Sequence, residues 1–279
     1  MKKSVKRLFV HSVVGGFAVS LILWAPFREE AQARSNTKNI VAPLVFQAAG
    51  PNIASIQGVV DQFRFALGGV NNLNAPGPLA SGRREINWDG GGSSATSAAP
   101  TPFTGFLTTR GALFSTDGEG FVQAPLDGLV TTFGNLSYDS IFQPFSQLRL
   151  FSPVGSHVTE MAFFVPGGGN IPATSTGFGA VFSDVDRRDG SGPSGKRGNR
   201  GSSTLLEYYG TSGNLLFSSF VPASPGDASL SFFGVVFAEP AIGHVRITSG
   251  DAVPSLDDEP NRDVVMMDDF IYGEPRIGQ

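Results

Sequence analysis

Three apolar runs recur along the chain, and each one ends on carboxylates: GFGAVFSDVD at 177–186, FFGVVFAEPA at 232–241 and VVMMDDFIYGEP at 264–275. Uninterrupted rows of β-branched and aromatic residues are typical of strands whose two faces are both buried. The carboxylates that follow predict a rim where these strands meet water. Because the first two runs share the sequence Phe-Gly-X-Val-Phe, we interpret them as paired strands of one core.

Apolar residues with helical spacing come before these runs. They step by three and four positions and so form one stripe of a helix: Ile53, Ile56, Val60, Phe63 and Leu67. Asn52 is suited to cap the first turn, and Gly68 with Gly69 is suited to end the last one. We predict an amphipathic helix over residues 53–67, followed by a turn-rich connector that ends at residue 82.

Beyond the connector the pattern alternates with the period of two that strands require. The segments that qualify are 84–88, 111–115, 129–133, 147–151, 158–165, 177–183, 203–209, 214–221, 230–237, 242–248 and 263–271. The 36 Gly and 19 Pro of the chain fit short strands joined by turns. The pattern therefore predicts an all-β fold, a jelly-roll-like antiparallel β-sandwich with one short N-terminal amphipathic helix.

The N-terminus has the organisation of a secretory signal peptide. Basic residues cluster between positions 2 and 7, the stretch 13–25 is mostly apolar, and Ala31-Gln32-Ala33 offers small residues for cleavage. We predict a signal peptide over 1–33, an N-terminal helix and connector over 34–82, and a β-sandwich domain over 83–279. This organisation predicts export, with no membrane span after cleavage; an uncleaved anchor is the alternative.

Charge and cysteine content narrow the classes of partner. The chain has 20 Lys and Arg against 24 Asp and Glu, and residues 1–33 account for five of the basic and two of the acidic ones. An acidic body is a poor match for nucleic acid, because that binding depends on basic residues that neutralise phosphates. With no cysteine, an exported chain depends on a large core or on a bound ion for its stability.

Acidic residues at the ends of the apolar runs are the candidate metal ligands. Calcium binds carboxylate and carbonyl oxygens without demanding a rigid geometry. Asp184, Asp186 and Asp189 have the spacing DxDxxDG, which defines a first candidate calcium site. A solvated rim without an ion is the alternative for these residues.

A second candidate calcium site depends on the strand order. Glu85 and Asp89 belong to the first strand of the sandwich, and Asp268 and Asp269 belong to the last. These acids meet if the two strands are neighbours. Because adjacent residues of a strand point to opposite faces, Asp268 and Asp269 are not expected to act on one substrate.

Aromatic residues outside the core are the candidate ligand-binding residues. Sugar rings stack on exposed Trp or Tyr side chains, and most of the aromatic residues here are Phe, which belongs in a core. Trp88, Tyr208 and Tyr209 are the candidates. Tyr208 and Tyr209 alternate along one predicted strand, so one of them is expected to face outward.

Three sequence strings together resemble a group of exported bacterial proteins of unassigned function: GRREINWDGG at 82–91, GFGAVFSDVD at 177–186 and VVMMDDFIYGEP at 264–275. Some members of that group carry C-terminal sorting tags. The resemblance extends over most of the chain beyond the predicted signal peptide. It implies a bacterial β-sandwich protein that is secreted or periplasmic, and it implies no catalytic residues.

These features favour an exported, non-catalytic β-sandwich module that binds a glycan or a component of the cell envelope, or that has a structural role. Calcium is the candidate stabilising ion. The alternative is a glycan-directed hydrolase in which two rim carboxylates act as acid and base. Sandwiches serve many functions, so the choice depends on the site and not on the fold.

Overall fold

A computed structural model describes residues 42–186, 203–224, 226–256 and 262–278. In these segments two antiparallel sheets enclose a common apolar core, which confirms the predicted all-β sandwich. The predicted signal peptide and the loop that contains Asp189 lie outside the described residues. None of the helices found in the described segments has the length and apolar character of a membrane span.

The strands are β1 Leu44–Gly50, β2 Arg83–Ile86, β3 Ser97–Ala99, β4 Ala112–Ser115, β5 Gly120–Ala124, β6 Leu150–Val154, β7 Val158–Phe163, β8 Gly177–Ser183, β9 Leu205–Tyr209, β10 Leu215–Phe220, β11 Leu230–Val236, β12 His244–Thr248 and β13 Met266–Gly273. The helices are α1 Ile53–Ala66, α2 Leu107–Arg110, α3 Leu126–Phe133 and α4 Tyr138–Ile141. The larger sheet has the order β1-β11-β8-β13-β6-β5-β3, and β2 pairs with the second half of β13. The smaller sheet has the order β10-β9-β12-β7-β4.

The predicted helix is confirmed as α1, which ends one residue before the predicted boundary. Its N-cap is Asn52, whose side-chain oxygen accepts a hydrogen bond from the amide of Ser55 at 3.2 Å. The buried side chains of α1 are Ile56, Val60 and Phe63, which belong to the predicted stripe and pack on the outer face of the larger sheet. Ile53, the first residue of that stripe, is exposed.

The prediction of a strand at 129–133 is wrong, because these residues belong to helix α3. The segment begins after Pro125 in an extended conformation, has Asp127 in its first turn, and ends at Gly134 with a φ of 75°. Each of these features favours a helix, whereas the apolar residues taken alone also fit a strand. Strands β1, β3 and β5 were not predicted, since their sequences carry no clear alternation.

The three apolar runs lie side by side at the centre of the larger sheet, in the order β11-β8-β13. The pairing of the first two is confirmed, with Gly179 directly opposite Gly234. The inner faces of these strands contact the smaller sheet, and the outer faces contact α1, while the start of β13 also packs with α3 and α4. Burial on both faces explains why the runs are continuously apolar.

The opposed glycines make room for the helix. The ring of Phe63 on α1 lies over this pair, and a Cβ added at Gly179 would be 2.9 Å from that ring and from the Cα of Gly234. A side chain at either position would displace Phe63, which also packs edge-on against Phe232.

Gly179→Ala is expected to lower the free energy of unfolding by roughly 1–3 kcal/mol, because the added methyl overpacks this contact. Gly58→Ala is the matched control: it lies on the exposed side of α1, where an added Cβ meets nothing within 4 Å. The control is expected to raise stability by up to about 1 kcal/mol through helix propensity. Urea unfolding of both variants measures the effect, and equal shifts would show that the glycine pair is not a packing constraint.

Candidate functional site

Strands β2 and β13, which correspond to the first and last strands that the sequence predicted, are neighbours, as the second candidate calcium site requires. Strand β2 runs antiparallel to the second half of β13, with Ile86 opposite Phe270. The first half of β13 contacts β6 instead, with Met267 opposite Phe151. Asp268 and Asp269 lie where β13 changes partner, so the structure brings the predicted acids into one region.

We call the boundary between β2 and β13 the seam. A buried ion pair lies at the end of the seam away from Asp268 and Asp269. Arg84 and Glu274 are both fully buried, and two parallel hydrogen bonds of 2.7 and 2.8 Å join the guanidinium to the carboxylate. The remaining N–H groups of Arg84 donate to the carbonyls of Leu73, Ala75 and Thr109. Every donor of the guanidinium therefore has an acceptor, which is the condition under which a buried charge is tolerated.

Glu85 and Asp269 are joined through an arginine of the helix. Arg64 donates to Glu85 at 3.1 Å and to Asp269 at 3.0 Å, and it also reaches Asp61 on its own helix. Its guanidinium lies between the two acids and links α1 to both β2 and β13. A cation already lies where the sequence predicted calcium between Glu85 and Asp269.

Asp268 and Asp89 are joined through a serine. The hydroxyl of Ser146 lies 3.2 Å from Oδ1 of Asp268 and 3.0 Å from Oδ2 of Asp89. Oδ2 of Asp268 accepts the amides of Phe145 and Ser146, and the amide of Arg149 donates to Asp89. These carboxylates attach the segment before β6 to the first half of β13 and to the residues after β2, instead of facing water.

The expectation that Asp268 and Asp269 form a rim is therefore wrong, since their exposure is 0 % and 2 %. They lie at a bulge, because β13 has one more residue than β8 between Met267 and Phe270. That bulge interrupts the alternation of side chains, and the amide of Asp269 donates to Asp268 at 2.8 Å.

Burial dominates the ionisation of this pair. It raises the pKa of Asp268 well above the ordinary value, and the charge of Asp269 raises it further, while the amides of Phe145 and Asp269 oppose the rise. Burial also raises the pKa of Asp269 to about 6, and Ser146 and Arg64 lower it. Raised pKa values mark functional carboxyls only where a substrate can reach them, and the exposure of this pair leaves no such access.

The first candidate calcium site is placed only in part. Asp184 is buried and Asp186 is half-buried, and both lie just after β8, whereas Asp189 lies outside the described residues. The amide of Asp186 donates to Asp263 at 3.0 Å, and the hydroxyl of Ser203 also donates to Asp263. Calcium at Asp184, Asp186 and Asp189 stays a prediction.

The described residues contain no preformed metal-binding cluster. No group of three or more His, Cys, Asp or Glu side chains there is arranged to hold a metal ion. At the seam, Arg64 and Ser146 occupy the places between the acids that calcium ligation would need free.

Two of the three aromatic candidates belong to the core, which corrects the expectation that they could face a ligand. Trp88 is 1 % exposed, and its ring stacks on Phe151 with 3.7 Å between centroids and 2° between planes. Tyr208 is fully buried and faces Phe178. Burial raises the pKa of the Tyr208 hydroxyl well above its ordinary value. The expected alternation is confirmed, because Tyr209 is half-exposed on the opposite face of β9.

Tyr209 belongs to a polar row across the outer face of the smaller sheet. Arg246 on β12 lies directly opposite Glu160 on β7 and Glu207 on β9, at 2.5 and 3.8 Å respectively. His244 contacts Glu160 at 2.6 Å, and its ring lies 5.5 Å from that of Tyr209. The hydroxyl of Tyr209 donates to Glu207 at 3.0 Å. We call these five residues the Tyr209 row.

The electrostatics of the Tyr209 row follow from these contacts. Partial burial acts to raise the pKa of Glu160, but the hydrogen bond and charge of His244 together with Arg246 outweigh it, so the pKa lies below the ordinary value. Desolvation and the hydrogen bond to Glu207 raise the pKa of Tyr209. The row therefore presents a neutral phenol beside two carboxyl groups and a guanidinium.

Sequence reasoning missed Glu160, Glu207, His244 and Arg246 as parts of a site. The sequence does contain one signal: Arg246 lies between the apolar residues Val245 and Ile247, and this alternation identifies position 246 as outward-facing. The missing information was that β12 lies between β7 and β9, a pairing of segments some 40 to 90 residues apart in sequence.

No protein-family model matches the chain, and no curated protein or solved structure matches it either. The resemblance to exported bacterial proteins of unassigned function stays a prediction.

The ionisation of Asp263 makes the stability of the fold depend on pH, which the ionisation of a solvated acid does not. Burial raises its pKa from 3.8 to about 7, Ser203 and the amide of Asp186 oppose the rise, and the charges of Asp186 and Asp251 add to it. A carboxyl that folding keeps protonated contributes most stability below pH 4. That contribution is lost as the pH rises to about 7.

Asp263→Asn removes this loss, because the amide does not ionise while its oxygen still accepts hydrogen bonds. Relative to the wild type, the variant is expected to gain on the order of 5 °C in Tm between pH 4 and pH 8. Thermal unfolding across this pH range measures the difference, with Glu239→Gln on the exposed surface as the control. Parallel pH profiles for wild type and Asp263→Asn would contradict the assignment.

Proposed function

We propose that the chain is an exported, non-catalytic β-sandwich module that binds a glycan through the Tyr209 row. The observation that carries the proposal is a half-exposed tyrosine beside paired carboxylates and a guanidinium on one face of a sheet. An aromatic ring offers an apolar face to the C–H face of a sugar, and the surrounding charged groups offer planar hydrogen-bond partners for its hydroxyls.

The contrast between the two sheets supports the choice of surface. The outer face of the larger sheet is covered by α1, α3 and α4, and its central strands are buried on both sides. The outward side chains of β7, β9 and β12 are instead half-exposed. Surface ion pairs contribute little to stability, so folding alone gives no strong reason for a row of this composition.

The hydrolase alternative has less support from the acids that suggested it. Asp268 and Asp269 are buried and accept hydrogen bonds from the protein. The adjacent acids Asp257, Asp258 and Glu259 could also supply such a pair, and they lie outside the described residues. The carboxylates of the Tyr209 row flank Arg246, which favours binding over acid and base chemistry. Export and the bacterial origin of the chain remain parts of the proposal that depend on the N-terminal pattern and on the resemblance.

Binding to an array of cell-wall and capsular glycan fragments tests the proposal. Tyr209→Ala is expected to weaken the affinity for the best ligand about tenfold or more, and Tyr209→Phe is expected to retain most of it, because the ring remains. Phe65→Ala is the matched control, since it removes a ring that is 82 % exposed on α1. Titration calorimetry gives the affinities. The absence of any glycan bound above background, or an unchanged affinity of Tyr209→Ala, would contradict the proposal.

A further inference from the structure

A second surface, on the larger sheet, has the form of a small-molecule site. It is a groove of about 540 Å³ between the end of α1, the start of β1 and the end of β11. Small-molecule sites commonly have volumes of about 300–1,000 Å³. Leu44, Leu67, Val236 and Phe237 supply apolar lining, and Thr176 and Arg276 are among its polar lining residues.

The walls of the groove are fixed by close backbone contacts. Gly68 ends α1 with a φ of 112°, and a Cβ there would lie 2.9 Å from the amide nitrogen of Gly82. A Cβ at Gly177 would lie 2.8 Å from Cδ2 of Leu67. The glycines allow the helix end, the connector and β8 to approach this closely, so the groove is a formed feature of the fold.

Arg276 is the charged residue of the groove lining, and its main chain is held in place. Its amide donates to the carbonyl of Thr174 at 2.9 Å, and its carbonyl accepts from the amide of Thr174 at 2.7 Å. No Asp or Glu is among the residues that line the groove, so Arg276 has no counter-charge there, in contrast to Arg84, which pairs with Glu274.

We propose that this groove binds an amphiphilic carboxylate, such as a straight-chain fatty acid. A carboxylate is planar and accepts two parallel hydrogen bonds from a guanidinium, so it would pair with Arg276, the charged residue of the lining. The apolar chain of the ligand would lie against Leu44, Leu67 and Val236 and lose its contact with water. The groove belongs to the larger sheet and shares no residue with the Tyr209 row, so this inference is independent of glycan binding.

Calorimetric titration of the purified protein with decanoate, decanol and decyltrimethylammonium, each below its micelle concentration, tests the proposal. Decanoate is expected to bind most tightly. Arg276→Gln is expected to weaken decanoate binding about ten- to a hundredfold and to leave decanol binding unchanged. Arg262→Gln is the matched control, because it removes an exposed guanidinium that is not among the residues lining the groove.

A second variant keeps the test decisive if Arg276→Gln does not fold. Ala66 is exposed at the end of α1 and lines the groove, so Ala66→Phe fills the site without burying a polar group. It is expected to weaken the binding of decanoate and of decanol together. Equal affinities for decanoate and decanol, undetectable decanoate binding, or unchanged binding in a folded Arg276→Gln or Ala66→Phe variant would overturn the proposal.

Discussion

The buried ion pair between Arg84 and Glu274 is the constraint on which much of the larger sheet depends. It joins β2 to the residue that follows β13, and it holds the connector after α1 and helix α2 through backbone carbonyls. Glu274 also accepts from Asn72 and from the amide of Leu79. Removing two charges from water is costly, so each partner is stable in the core only while the other is present.

Acidic residues near positions 85 and 268 also join separate segments of the chain, through three further contacts. Glu85 and Asp269 meet through Arg64, Asp268 and Asp89 meet through Ser146, and the amide of Arg149 also donates to Asp89. Each contact attaches a loop or helix to the seam between β2 and β13. The chain has no cysteine, and buried polar contacts of this kind hold distant segments together where disulfides are absent.

Local patterns were sufficient to predict α1, its cap at Asn52, the paired glycine-containing strands and the outward direction of one of Tyr208 and Tyr209. They failed where a property depends on partners distant in sequence. The burial of Asp268 follows from the bulge in β13 and from the amides before β6, and neither is visible in the run VVMMDDF. The helix at 126–133 was missed because an apolar stretch of this length fits both a strand and a short helix. The Tyr209 row required the order of β7, β12 and β9.

The two sheets differ in what their outer faces offer. Helices cover the larger sheet and leave an apolar groove, lined in part by Arg276, at the end of α1. The smaller sheet presents charged and aromatic side chains. Structural acids therefore concentrate at the seam, and the surfaces proposed for binding lie elsewhere.

The central claim is that the acids of the seam are structural, and the unfolding free energy of Glu274→Gln tests it most directly. The substitution keeps the shape of the side chain and leaves the buried charge of Arg84 without its partner, so we expect a loss of about 3–5 kcal/mol. Glu207→Gln, which removes a half-exposed partner of Arg246, is expected to cost less than about 1 kcal/mol. A similar small loss in both variants, measured by urea unfolding, would contradict the claim.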